Sequence, residues 1–365
     1  MQPLSPTRAR ADRDSQSLVR RVVVSRPVAI DTGFMQTKKL GSLITSAVGL
    51  GCMGMSGAYG EADRGESIAT VRAAIDAGIT LVDTADFYRM GHNELLLAEA
   101  LRSMPRESYH LSVKFGAQIG PDGTWFGFDG RPAAVKTAVA YSLQRLGTDY
   151  IDVYRPARLD PAVPIEDTVG AIGDLVDAGF VRHIGLSEVG SETVRRAASV
   201  RPISDLQIEY SLMSRSIERD ILQTCRELGI GITAYGVLSR GLIGGNWTKN
   251  RSGHADSADS RLASPRFSGH NLDANLALAE ALRGVADELG LTMAQVAIGW
   301  VASRGSDVVP LIGARTRTRL NEALGAVDVR LDGDQLARIE AAVPAEKVAG
   351  DRYPAAHMAA LDSER

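Results

Sequence analysis

Only two cysteines, Cys52 and Cys225, occur among 365 residues, and neither falls in a metal-binding or disulfide-rich spacing. That excludes a cystine-stapled scaffold and a zinc module, and it points to a reducing, cytoplasmic setting with no metal site expected. Aromatic residues amount to 5%, which leaves the core to aliphatic side chains. No run approaches the roughly 18 consecutive apolar residues that a membrane span requires. Neither sign of charge prevails: 41 Lys and Arg face 44 Asp and Glu, for a net charge of −3. Neither nucleic acid nor an anionic membrane is therefore an expected partner. What is present is an ordinary globular composition, 44% hydrophobic and 23% charged, sufficient for one sizeable core.

The first 34 residues differ from the rest. They carry Arg8, Arg10, Arg13, Arg20, Arg21 and Arg26, and their longest apolar run, Val22-Val23-Val24, is too short for a secretory segment. Asp12, Asp14 and Asp31 argue against an Arg-rich transit peptide. Residues 1–34 are expected to be an extension outside the fold, either a tail without stable structure or the result of a start placed ahead of Met35. Residues 35–365 form the folded domain.

From Gly49 onward, short apolar runs alternate with amphipathic stretches. The runs at 47–51, 79–86, 109–115, 150–154, 181–187, 206–210, 231–235 and 308–313 are rich in Val and Ile, as parallel strands buried on both faces require. Segments of helical spacing separate them, four ending at a plausible C′ glycine: Gly78, Gly147, Gly179 and Gly229. Eight such repeats predict a single α/β domain, a closed (β/α)8 TIM barrel with its active site at the C-terminal strand ends. A long polar loop, 244–272, follows the seventh strand and reads as a lid or an irregular insertion. Additional C-terminal helices are expected near 292–304 and 331–343.

Gly49-Leu-Gly51-Cys-Met-Gly54 matches a dinucleotide-binding G-x-G-x-x-G. In that motif the glycines open directly into a helix. Here residues 55–64 intervene, and eight repeats exceed one dinucleotide domain, so the match is rejected.

Asp83 ends the second strand, Tyr88 lies in the loop after it, and Lys114 ends the third. A tyrosine has a reference pKa of about 10. A nearby ammonium, held by a carboxylate, is expected to lower it and yield a tunable acid for a carbonyl oxygen. The same spacing fits a buried Lys–Asp pair with a packing tyrosine, or a barrel lysine that forms a Schiff base.

The string LVDTADFYRMGHNE (81–94) resembles the signature of the aldo-keto reductases, and SVKFG (112–116) resembles their lysine strand. The resemblance extends from about Leu40 to Asp351 and includes LGTDYIDVYR, VRHIGLSE, LQIEYSLMSR, GITAYGVLSRG and PLIGARTRTRLNEALGA. It implies NADPH bound across the barrel top and hydride transfer to an aldehyde or ketone, with catalytic Asp83, Tyr88 and Lys114. Gly51, Cys52, Met53 and Asp83 are implied beside the cofactor, and Ser187 and Gln207 at its nicotinamide carboxamide. Tyr235 is implied to stack on the nicotinamide ring. Backbone from Gly236, Val237, Leu238, Ser239 and Gly241 is implied at the pyrophosphate, and Gly313, Arg315, Arg319 and Glu322 at the adenosine end. Arg315 and Arg319 read as the 2′-phosphate site, since arginine forks and a helix N-terminus suit phosphate.

The chain departs from the family at several positions. Ala157 stands where a histidine is usual, Glu188 and Ala323 replace asparagines, and Arg89 replaces a glycine. With Ala157, either an ordered water, Arg155 or Arg158 replaces the missing donor, or the substrates are activated carbonyls that need less help. The second is favoured, with both arginines expected to face solvent or pair with Asp152 or Asp160. His92 is expected at the surface or behind the site, and Cys52 as a buried, inert thiol. The partner implied is a small carbonyl compound, with the oligomeric state left open. Two other functions remain: a slow-turnover NADPH sensor of the channel β-subunit type, and a Schiff-base lyase working through Lys114.

Overall fold

The computed structural model describes residues 35–245, 247–248 and 259–365; the expectation for residues 1–34 and the middle of the polar loop lie outside them. An antiparallel hairpin, β1 (Thr37–Leu40) and β2 (Leu43–Ser46), precedes β3 (Gly49–Gly51), β4 (Leu81–Ala85) and β5 (His110–Phe115). A second hairpin follows, β6 (Ala117–Ile119) and β7 (Trp125–Phe128). Then come β8 (Ile151–Pro156), β9 (Val181–Ser187), β10 (Ile203–Glu209), β11 (Gly231–Tyr235) and β12 (Val308–Gly313). The eight strands outside the hairpins close into a parallel barrel in the order β10-β11-β12-β3-β4-β5-β8-β9. All eight apolar runs thus become barrel strands, and those at 181–187, 231–235 and 308–313 keep their bounds.

Gly49–Gly51 is strand, a short 3-10 turn, Met53–Ser56, follows it, and the first α-helix, Arg64–Asp76, starts only after that, behind an Asp63 N-cap, so the motif does not open into an α-helix. Gly78, Gly147, Gly179 and Gly229 all take positive φ (88°, 65°, 83° and 68°), the left-handed conformation that ends a helix at low cost.

The helix assignments after the seventh strand need correction. Met293–Ala302 packs on β12, with eight of its ten residues buried, and serves as the barrel's own helix there. The addition is Gly269–Glu288, which packs against Gly333–Ala342. The nearly continuous apolar sequence MAQVAIGWVA suits burial on several sides, whereas the longer helix is amphipathic. The polar loop is also shorter than 244–272, because the helix begins at Gly269. No helix among the described residues is long and apolar enough to cross a membrane.

The barrel interior changes character along its axis. At the bottom, Leu81, Val153 and Val309 meet Leu40 and Leu43 of the first hairpin. Burying each such side chain contributes about 1.5–3 kcal/mol. Lys38 fastens this plug by donating to the carbonyls of Ala302, Gly305 and Val308 at 2.8, 3.0 and 2.6 Å. Higher up, Arg155 and Asp205, both fully buried, form an ion pair at 3.1 Å. Gly185 is required beside them, since a Cβ there would lie 2.6 Å from the Asp205 carboxylate and 2.8 Å from Arg155.

Candidate active site

Register pairing sets the reacting groups. Asp83 lies beside Ser112, Ala85 beside Lys114, and Lys114 beside Arg155, so one inward-facing set climbs to the barrel mouth. Asp83 is the hub. One of its oxygens accepts from Lys114 Nζ at 2.5 Å, and the other from Ser112 Oγ at 2.8 Å and Gln207 Nε2 at 2.7 Å. Lys114 also donates to Thr84 O at 3.0 Å and lies 5.0 Å from the centre of the Tyr88 ring. Burial lowers the lysine's pKa, and Asp83 only partly opposes that shift.

The Tyr88 loop is held by Asn93. Its amide nitrogen donates to Cys52 O at 2.9 Å and Ser56 Oγ at 2.7 Å, while its oxygen accepts from Thr84 Oγ1 at 2.7 Å. The ends of β3 and β4 are thereby tied together. His92 bonds Ser56 Oγ at 3.0 Å, behind the site as expected. Among the described residues, every non-glycine residue with positive φ belongs to this mouth: Arg89 (48°), Met90 (54°), Glu188 (53°), Ser239 (48°) and Arg240 (56°). Such conformations cost of order 1–3 kcal/mol each and concentrate where a site must be held in shape.

The expected lowering of the Tyr88 pKa is overturned. Burial, followed by the charge of Asp83 and the neighbouring Tyr59, pushes it well above its ordinary value, and Arg158 opposes this. Lys114 is committed to Asp83. Tyr88 is therefore a neutral phenol, the form that can donate a proton, and no described residue hydrogen-bonds its hydroxyl.

A cleft of about 1200 Å³ opens over these groups. Gly51, Met53, Asp83, Tyr88, Lys114, Gln207, Tyr235, Gly236, Val237, Leu238, Gly241, Gly313, Arg315, Arg319 and Glu322 all line it. Three expected cofactor residues do not. Cys52 is fully buried, with burial raising its thiol pKa. Ser187 is buried behind Arg158, and Ser239 bonds Ser211 Oγ at 3.1 Å. At the far end, Arg319 pairs with Glu322 at 2.7 Å, and Arg315 donates to the carbonyls of Tyr59, Gly60 and Glu61. No cluster of His, Cys, Asp and Glu among the described residues is arranged for a metal.

Both arginines beside Ala157 depart from expectation. Arg155 points into the barrel, and Arg158 lines the cleft; neither pairs with Asp152 or Asp160. Asp152 is taken by Arg106 at 2.5 Å, and Asp160 accepts from Gly130 N.

The sequence reading missed one whole wall. The C-terminal segment brings Tyr353 and Pro354 into the cleft, anchored by Arg352. Arg352 pairs with Glu188 at 2.8 Å, Glu209 at 3.3 Å and Glu364 at 2.8 Å. Burial alone would raise the Glu188 carboxyl, but Arg352, Arg158 and the Tyr235 hydroxyl outweigh it and hold its pKa far below the usual range. Tyr235 donates to Glu188 at 2.6 Å and meets the Tyr353 hydroxyl at 3.1 Å, which fixes its ring at the mouth. Glu188 in place of asparagine was the visible signal: a buried carboxylate needs a cation, and Arg352 is it.

Residues 47–344 match the family model described as Aldo/keto reductase family. This chain is an aldo-keto reductase. It is similar to a probable aldo-keto reductase from Glycine max, 42% identical over 324 residues that cover 87% of this chain and 92% of the relative. Among solved structures it resembles a glycerol dehydrogenase from Gluconobacter oxydans, with TM-score 0.76, 28% identity, and coverage of 84% and 94% of the two chains. An aldo-keto reductase from Bacillus halodurans in its holo form shares the fold, with TM-score 0.71, 23% identity, and coverage of 85% and 97%. Membership implies oxidoreductase chemistry on carbonyl compounds with a nicotinamide cofactor.

Proposed function

We propose that this reductase acts in the cytoplasm on aldehydes and activated ketones, uses NADPH, and takes its proton from Tyr88. The observation that carries the reading is a neutral Tyr88 with an unengaged hydroxyl, 5.0 Å by its ring from a lysine clamped by Asp83. As the carbonyl oxygen takes that proton, negative charge grows on Tyr88, and the Lys114 ammonium stabilises it. Ser112 and Gln207 hold Asp83, which holds Lys114, so little reorganisation is needed.

The residues fit the cofactor. Gln207 spends its amide nitrogen on Asp83 and keeps its oxygen for the carboxamide. The ring of Tyr235 offers a face, and the 236–241 turn offers backbone amides. Arg315 and Arg319 flank the start of the helix Arg317–Leu324, suited to a 2′-phosphate that would take Glu322's place on Arg319. When bound, reduced nicotinamide supplies the hydride. A volume of about 1200 Å³ exceeds the usual range of about 300–1,000 Å³ for small-molecule sites and leaves room for substrate.

Ala157, without a side-chain donor, favours one rival, the slow-turnover sensor. Steady NADPH oxidation over many turnovers with an aldehyde panel is expected. A single turnover of bound NADPH would favour the sensor, and borohydride trapping of substrate on Lys114 without cofactor would favour the lyase.

A further inference from the structure

Among the described residues Arg158 lines the cleft without an ion pair to any carboxylate, and the carboxylates of the adjoining C-terminal wall are engaged elsewhere. Glu188 is taken by Arg352, Glu364 by Arg352, and Glu209 by Arg352, Arg240 and Arg266. Arg158 has neutral acceptors instead: Ala157 O at 2.6 Å, Ser187 Oγ at 3.4 Å and Tyr353 Oη at 3.5 Å. Among the described residues, no carboxylate lies within ion-pair distance of it. Glu188 is close enough to act on its charge, but it is locked by Arg352. Burial opposes the Arg158 charge, and its surroundings, Glu188 among them, more than offset that. The guanidinium therefore stays charged while its N–H groups meet only neutral acceptors that a ligand carboxylate would replace.

Its position suits a substrate group. The strand-like pairing of β8 persists to Ala157, whose N–H donates to Phe115 O at 2.8 Å. Arg158 is the next residue and the first whose side chain lines the cleft. It reaches Tyr353 Oη, which meets Tyr235 Oη at 3.1 Å, and all three line the cleft together with Tyr88 and Lys114. The other cations there are spoken for, Lys114 by Asp83, while Arg89 is exposed.

Building on the reductase reading above, we propose that Arg158 binds substrate and makes 2-oxo carboxylates the preferred class. Two N–H groups of its planar fork receive the reacting carbonyl oxygen and the adjacent carboxylate oxygen together, a geometry a lysine cannot offer. The donor absent at Ala157 is thereby supplied one residue later. The step yields a 2-hydroxy acid. The C=O double bond becomes a single bond, the carbon gains a hydride from reduced nicotinamide, and the oxygen gains the Tyr88 proton. Two electrons pass from dihydronicotinamide to substrate, and solvent restores the proton.

The test uses the full chain with NADPH and three substrates: phenylglyoxylate, its methyl ester and benzaldehyde. The ester keeps the activated carbonyl and lacks the charge. Wild type should favour the acid over both neutral compounds in kcat/KM. Arg158→Met should reduce kcat/KM for the acid at least about 30-fold more than for benzaldehyde, as the loss of charge-assisted bonds predicts. Arg158→Lys should recover the charge but less than about a tenth of the rate, since the fork is gone. Binding of oxamate, an unreactive 2-oxo acid mimic, measured by calorimetry with and without NADPH, gives a readout independent of turnover. It should weaken at least about 30-fold in Arg158→Met and persist in Tyr88→Phe. Equal losses for acid and benzaldehyde, a wild-type preference for the ester, or oxamate binding indifferent to Arg158 would overturn the proposal. If wild type reduces no carbonyl at all, the reductase reading fails, while the oxamate result still decides the role of Arg158.

Discussion

The two walls of the cleft are built in different ways. At the reacting wall, Asp83, Ser112, Lys114 and Gln207 come from barrel strands, and backbone register brings them together. At a second wall, Tyr353 comes from the C-terminal segment, which Arg352 holds by side-chain ion pairs to Glu188 and Glu209. Chemistry common to a family can rest on register, which tolerates drift elsewhere in the chain. A wall made of side-chain pairs can change with one or two substitutions, so specificity beyond the group Arg158 receives is expected to reside there.

Breaking the second wall should have the largest effect on stability. Arg352→Met leaves Glu188 and Glu209 as buried carboxylates without their main cation, a loss of about 3–5 kcal/mol that a urea titration at neutral pH would read. The Glu188 pKa is depressed in the fold, so this stabilisation is present above the ordinary carboxylate range and is lost as pH falls through the folded value. Adding Glu188→Gln to Arg352→Met should recover part of the loss. If Arg352→Met unfolds at the wild-type urea midpoint, the ion-pair wall is not what holds the segment.

A smaller effect is expected where the cleft ends at loops. Arg315→Ala with Arg319→Ala should weaken NADPH far more than NADH, by about 1.5–3 kcal/mol per lost charge-assisted contact. Fluorescence titration of both cofactors checks it. Equal losses would make these arginines structural, in keeping with Arg315's bonds to the 59–61 backbone.

The smallest effect concerns Asp86, just before Tyr88. Burial and then the nearby Glu94 raise its pKa to about 7. The folded form holds a proton that the unfolded chain releases at about pH 4. Stability from this group therefore falls as pH rises from about 4 to 7 and is level above that. Asp86→Asn should match wild type near pH 4 and be the more stable of the two at pH 8. Parallel stability curves across that window would rule this out.

Strand positions were legible because runs such as VRHIGLS and GITAY carry their own boundaries; their ends pointed to Asp83 and Lys114, whereas Gln207 and Tyr235 came from the family resemblance, and all four line the cleft. Direction was less legible. In strands buried on both faces polarity does not mark the inner side, so Arg155 was expected outward, although it shares the inward parity of Val153. The hairpin β6–β7, with exposed Trp125 and Phe126, has no core pattern to betray it. The Tyr88 pKa was misjudged because the ammonium was counted and the burial was not. The C-terminal wall depends on contacts more than 140 residues apart, such as Arg352 with Glu188 and Glu209, which no local pattern records.

The central claim is that Tyr88 gives the proton while the rest of the site binds. Steady-state turnover of an aldehyde and NADPH affinity, measured side by side in wild type and Tyr88→Phe, test it most directly. Turnover should fall at least about 100-fold, as expected for loss of general acid catalysis, with NADPH affinity changed less than about threefold. A variant that keeps a tenth of wild-type turnover, or that loses cofactor affinity in proportion to rate, would contradict it.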